Sequence, residues 1–196
     1  MVAFTGRDKN RRISLYITEL TTGRTRALQG TDDAQYHFWS PDSKSLGFFA
    51  DGLFRIEAMG GPPRRIADAS NGKGGAWSDR GDIVFAPGPT GPLFAVPAAG
   101  GASAPVSELD AESGDYSHRH PHFLPGGRAF VYTRWDTRST RSLKRPEIWV
   151  RSLDGATDQR LVESDANAGF AGGDLLYVFD RTLVARPFDI GTLRFT

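Results

Sequence analysis

Short runs in which every second residue is apolar recur along the chain: LYITEL from Leu15, LFRIEA from Leu53, LFAVPA from Leu93, IWVRSL from Ile148 and LVARPF from Leu183. Alternation with a period of two is that of a β-strand with one buried face. Successive starts lie 38, 40, 55 and 35 positions apart. A second signal precedes four of these runs: an aromatic residue, a tight turn, then an apolar strand. It reads FWSPDSKSLGFF from Phe38, AWSDRGDIVFA from Ala76, HFLPGGRAFVY from His122 and GFAGGDLLYVF from Gly169. Its aromatics, Trp39, Trp77, Phe123 and Phe170, are 38, 46 and 47 apart. Four-stranded propeller blades repeat about every 40–45 residues, and both series fit that period.

The turn residues agree. In SPDS, Pro41 presets φ for the first turn position and Asp42 can accept nearby backbone amides. The DRG turn at 79–81 and the PGG turn at 125–127 put Gly where φ can be positive. Each turn joins an innermost strand to the next one out, and polar-edged runs such as PPRRIA and TDQRLV close a unit. No segment sustains a helical period. The expected fold is therefore all-β, a β-propeller of four-stranded antiparallel blades. Its units span approximately 1–30 (incomplete), 31–70, 71–110, 111–163 and 164–196. Because the first unit lacks the aromatic-plus-turn strand that opens the others, we expect four complete blades plus part of a fifth. That pattern suggests a piece of a larger propeller, able to self-associate through open end blades.

Composition narrows the picture. Gly and Pro number 23 and 12 of 196 residues, about 18% against an average of roughly 12%, as many turns require. The 24 basic and 23 acidic residues leave a net charge of +1, which is no footprint for nucleic acid. Without Cys, disulfides, thiolate catalysis and Cys-based zinc sites are excluded. No apolar run approaches the roughly 20 residues that span a bilayer, and the first ten residues do not read as a secretory signal.

The stretch WSPDSKSLGFFADGLFRIEAMGGPPRRI, Trp39 to Ile66, resembles the repeat of TolB-like, WD40-like bacterial β-propellers (the PD40 type). The resemblance covers nearly the whole chain. SHRHPHFLPGGRAFVYT and LLYVFDRTLVARPFDIGTLRFT are similar to propellers at the C-terminal end of bacterial receptor-like serine/threonine protein kinases. That resemblance implies a bacterial protein with a periplasmic or otherwise extracytoplasmic propeller. The kinase motifs themselves are absent, so any kinase activity belongs to other chain. The sequence departs from the repeat at Ser43, where Gly is usual, at LPGG in place of Ser-Pro-Asp-Gly, and at His120, where an aromatic is expected.

The most distinctive chemistry is DYSHRHPHF, in which His118, His120 and His122 alternate. On a regular strand the three imidazoles would share a face and could hold a metal, with Asp115 as a fourth or outer group. The alternative is an inner strand whose half-buried His residues bond to backbone, bent at Pro121. NGKGGAW, Asn71 to Trp77, opens a strand and not a helix, so it reads as a loop between blades and not a phosphate loop. There is no G-x-S-x-G nucleophile elbow. Asp42, Asp79 and Asp174 fall one per unit at turns, where capping is role enough. The long connection Thr133–Glu147 carries Arg134, Arg138, Arg141, Lys144 and Arg145, a possible partner-binding loop or a solvated hairpin tip.

The functional expectation is a non-catalytic binding or sensing module for a protein or small ligand, with no cofactor, no nucleic acid partner and no membrane segment. The alternative is a regulatory propeller of a larger enzyme, either a receptor-like kinase or a prolyl-oligopeptidase-type peptidase.

Overall fold

The computed structural model describes residues 1–136 and 145–196. Apart from one 3-10 turn at Ala111–Ser113, every regular element among them is a β-strand. Five antiparallel sheets follow one another along the chain. The first is β1 (Val2–Arg7), β2 (Ile13–Thr18) and β3 (Thr25–Ala27). The second is β4 (Gln35–Trp39), β5 (Ser45–Phe49), β6 (Leu53–Glu57) and β7 (Arg64–Ala67). The third is β8 (Gly75–Trp77), β9 (Asp82–Phe85), β10 (Phe94–Pro97) and β11 (Ala104–Pro105). The fourth is β12 (Asp115–Phe123), β13 (Ala129–Asp136), β14 (Glu147–Ser152) and β15 (Asp158–Glu163). The fifth is β16 (Gly169–Ala171), β17 (Asp174–Phe179), β18 (Thr182–Asp189) and β19 (Arg194–Phe195). Within each sheet every strand pairs with its sequence neighbour, which is the meander of a propeller blade.

The core lies between sheets. One apolar cluster joins each consecutive pair: Leu15 and Ile17 against Leu46 and Phe48; Phe49 and Leu53 against Ile83 and Phe85; Val84 and Leu93 against Phe130 and Tyr132; Val131 and Val150 against Leu175 and Phe188. Adjacent residues of one strand therefore serve opposite neighbours, as Phe48 and Phe49 do. This is why β5 and the first five residues of β13 are buried throughout: a strand covered on both faces reads as a continuous apolar run.

Trp39, Trp77, Phe123 and Phe170 stand at corresponding places. Each is half-buried on the innermost strand of its sheet and packs on the cluster shared with the preceding sheet. Behind each sits the hairpin turn. Ser40 Oγ donates to Asp42 Oδ1 (2.7 Å) and accepts from Ser45 N–H (2.8 Å), while Asp42 Oδ1 also accepts from Lys44 N–H (3.1 Å). The Ser40 hydrogen bond, followed by the Lys44 amide, holds the Asp42 carboxyl below its usual range. Ser78 Oγ plays the same part in the next blade, accepting from Arg80 and Asp82 N–H. Gly81, Gly126 and Gly127 hold positive φ at their turns.

Candidate functional site: the axial cavity

The innermost strands are not regular. Between Gln35 and Phe38, β4 carries one residue more than its partner, since Gln35 faces Phe49 and Phe38 faces Gly47. β12 repeats the feature, with Arg119 facing Thr133 and His122 facing Val131. Just before β8, Lys73 N–H donates to Ala86 O and Ala86 N–H donates to Gly74 O (both 3.0 Å), so two residues again oppose one. Each is a β-bulge, and in each one residue adopts a left-handed backbone: Tyr36 (φ 46°), Gly74 (φ 98°) and His120 (φ 50°). All three lie three residues before their blade's repeat aromatic, at Trp39, Trp77 and Phe123. Asn167, three before Phe170, is the fourth in the series.

These four positions meet. Tyr36, Gly74, His120 and Asn167 line one cavity of about 230 Å³, together with the residues next in chain, His37, Gly75, Pro121 and Ala168, and with His122. Four successive blades contribute, so the cavity lies along the axis that their inner strands surround. Its walls are closely fitted. The Tyr36 and His120 rings are 5.5 Å apart, and Lys73 Nζ lies 5.4 Å from the Tyr36 ring centre. A Cβ on Gly74 would come within 2.8 Å of His120 Nδ1 and 2.9 Å of its Cα. His120 N–H donates to Lys73 O (3.0 Å), tying the third blade to the fourth. Phe170 N–H donates to His122 Nε2 (3.2 Å), tying the fourth to the fifth. Burial, then the charges of Arg119 and Lys73, depress the His120 pKa below its ordinary value. Burial alone depresses that of His122.

The other end of the axis has a different character. Pro41, Trp77, Phe123, Pro125 and Phe170, again from four blades, line a hollow of about 250 Å³.

The bulge in β12 separates the three histidines that strict alternation would place on one face. His118 faces Arg134 and His122 faces Val131, three positions apart on β13, so their side chains leave opposite faces of the sheet. His118 is buried away from the axis. Its Nε2 is 2.8 Å from Asp115 Oδ2 and its Nδ1 2.7 Å from Ser107 Oγ. Asp115 Oδ2 also takes an ion pair from Arg134 Nε (3.2 Å). This Ser–His–Asp series has the connectivity of a nucleophile and its base. Ser107, however, is 2% exposed and its Oγ already accepts from Leu93 N–H (2.8 Å). The hydroxyl is enclosed within the network, which fastens the β11–β12 connection to Leu93 of the third sheet. Among the described residues no group of three or more His, Asp or Glu is placed to hold a metal. His37 Nε2 donates to Ala3 O (3.1 Å) and His122 Nε2 accepts from Phe170 N–H, so these two nitrogens are already committed.

Of the cations in the 133–147 connection, Arg134 lies over the Trp149 ring (4.6 Å) and hydrogen-bonds Ser113 Oγ. Arg145 pairs with Asp165 (2.9 Å) and covers Phe179 (4.3 Å). Arg138, Arg141 and Lys144 lie outside the described residues. Asn71–Trp77 does connect two blades: Lys73 Nζ donates to Asn71 Oδ1 (2.7 Å) and the chain runs into β8. Sequence reasoning missed Tyr36, His37, Gly74 and Asn167 as a set. Counting back three places from each repeat aromatic would have found three of them directly, and His37 beside the first.

No helix among the described residues is long and apolar enough to cross a membrane. No family model and no curated protein matches the chain. Solved structures do. A protein from Agrobacterium tumefaciens assigned as TolB superposes with a TM-score of 0.67 at 14% identity, over 100% of this chain and 79% of that one. TolB from Acinetobacter baumannii gives 0.67 at 12%, over 94% of this chain and 48% of its own length. Oligogalacturonate lyase from Vibrio parahaemolyticus gives 0.61 at 12%, over 99% and 63%. At such identities the likeness is one of fold, and that fold is the β-propeller, shared here by TolB proteins and by an enzyme.

Proposed function

We propose that this chain is a non-catalytic binding or sensing module whose ligand or partner is received at the axial cavity. One observation carries the reading: equivalent positions of four blades converge on one cavity, and two of them, Tyr36 and His120, are non-Gly residues held in a left-handed backbone. Such conformations cost on the order of 1–2 kcal/mol each and collect where a site demands a particular side-chain placement. A rigid blade frame around a small polar cavity suits recognition, and propeller folds serve many functions through such grafted sites. The finer parts of the proposal are an extracytoplasmic location and service as the sensor propeller of a larger protein, such as a receptor-like serine/threonine kinase or a prolyl-oligopeptidase-type peptidase. They rest on the resemblance of the repeat, and the gene on either side of this segment is the place to read them.

The test is hydrogen exchange of the purified protein against panels of small metabolites and peptides. A true ligand slows exchange at 36–38, 74–76, 120–122 and 167–169, and a Tyr36→Ala variant loses that protection while keeping its fold. Protection confined to outer strands, or turnover of any panel compound by the isolated chain, would overturn the reading.

A further inference from the structure

We propose that the axial cavity is an anion site, made for a compact ligand bearing a carboxylate or phosphate group. The inference rests on the binding reading above and goes further by naming the ligand's chemistry. Among the described residues no acidic side chain lines the cavity. One cation stands beside it: Lys73 Nζ lies 5.4 Å from the Tyr36 ring centre and donates to Asn71 Oδ1, whereas Arg119, next in chain to His120, turns its guanidinium to Ser117 Oγ, Pro89 O and the Trp135 ring. The charges that act on His120, after burial, are both positive.

The donor set is also one-sided. Because His122 Nε2 accepts the Phe170 amide, its neutral ring carries the proton on Nδ1, and that N–H is a donor. Asn167 adds a carboxamide. Gly74 and Gly75 form part of the wall with backbone alone, the places of their missing side chains being filled by His120 and by the Phe38 ring. A cation would find the imidazole lone pairs taken: His122 Nε2 accepts the Phe170 amide and His37 Nδ1 lies 3.4 Å from Thr5 Oγ1. The volume of about 230 Å³ lies below the roughly 300–1,000 Å³ of drug-sized pockets, which favours a compact anion over a long chain. Walls of low dielectric strengthen such charge-assisted hydrogen bonds relative to water.

Titration calorimetry with malonate, inorganic phosphate and uncharged malonamide tests this, alongside NMR of the His120 and His122 ring protons. Saturable binding of malonate or phosphate is expected, with the two arms deciding which anion the site prefers. Ring signals of both residues should move, malonamide should leave them still, and added salt should weaken the binding. In Lys73→Gln and His120→Asn the affinity should fall roughly tenfold. Asn tolerates the left-handed backbone at position 120, so the second variant keeps the fold. An unchanged melting temperature in both variants separates lost binding from lost structure. Absence of saturable anion binding overturns the inference, as does binding of full strength in the double variant. If uncharged compounds protect the inner strands from exchange while neither anion does, the binding reading survives and the anion inference alone fails.

Discussion

Ser43 holds φ at 57° at the tip of the β4–β5 hairpin, where its N–H donates to Ser40 O (2.9 Å). The repeat usually has Gly there, and the backbone shows why. Relief of a left-handed Ser, less the extra chain entropy of Gly, should make Ser43→Gly stabilising by about 0.5–1 kcal/mol in a denaturant titration. Gly74 is the reverse case. With φ 98° and His120 backbone at the place of a Cβ, Gly74→Ala should destabilise by about 1–3 kcal/mol and disturb the His120 ring signals. The two axial histidines also set a pH dependence. Both have folded pKa values below the ordinary 6.5, so the unfolded chain takes up protons first as pH falls. Stability is then full above about 6.5 and is lost as pH falls from there through the depressed folded values. The charged groups acting on His120 are Arg119 and Lys73, beside the Tyr36 ring. Urea midpoints should drop between pH 7.5 and 5.5, and less so in a His120→Asn, His122→Gln double variant.

Strand by strand, the outcome follows which faces are covered. Phe130 is fully buried between the third and fourth blades, and Phe130→Ala should cost about 3–5 kcal/mol. Phe170 is only half-buried, so the same truncation there should cost distinctly less. The blade strands were legible in the sequence because an apolar run bounded by Ser-Pro-Asp, Asp-Arg-Gly or Pro-Gly-Gly has few other ways to fold. The hairpin at 40–45 and the aromatics at 39, 77, 123 and 170 belong to the same logic. The cavity was not legible, because a bulge inserts one residue and reverses the facing of everything beyond it. DYSHRHPHF reads as three histidines on one face only if β12 is regular. Its extra residue at His120 sends His118 into the blade and leaves His120 and His122 on the axis. Little in the local composition announces that extra residue, since Tyr is a poor left-handed former, His a modest one, and only Gly74 carries the usual signal.

Across the molecule, every cluster of the core joins neighbouring sheets, so stability should behave as a sum of nearest-neighbour terms. Amides of β5, β9 and β13 should be the slowest to exchange, and those of β1 and β18 the fastest, a gradient that native-state hydrogen exchange reads directly. The outer sheets also present Val2 and Phe4 at one end and Leu183, 69% exposed, at the other. Sedimentation at rising concentration should show association, and Leu183→Lys should reduce it. The bulges carry one more consequence. The position three before each repeat aromatic recurs in blade after blade, yet it holds Tyr, Gly, His and Asn in turn, the first three with a left-handed backbone. The scaffold and the side chains it displays are thus independent variables, like letters set into a fixed frame. Exchanging the letter at Tyr36 or Asn167 should leave the seams between blades alone, whereas the Gly74 slot is closed to any side chain by His120 of the next blade.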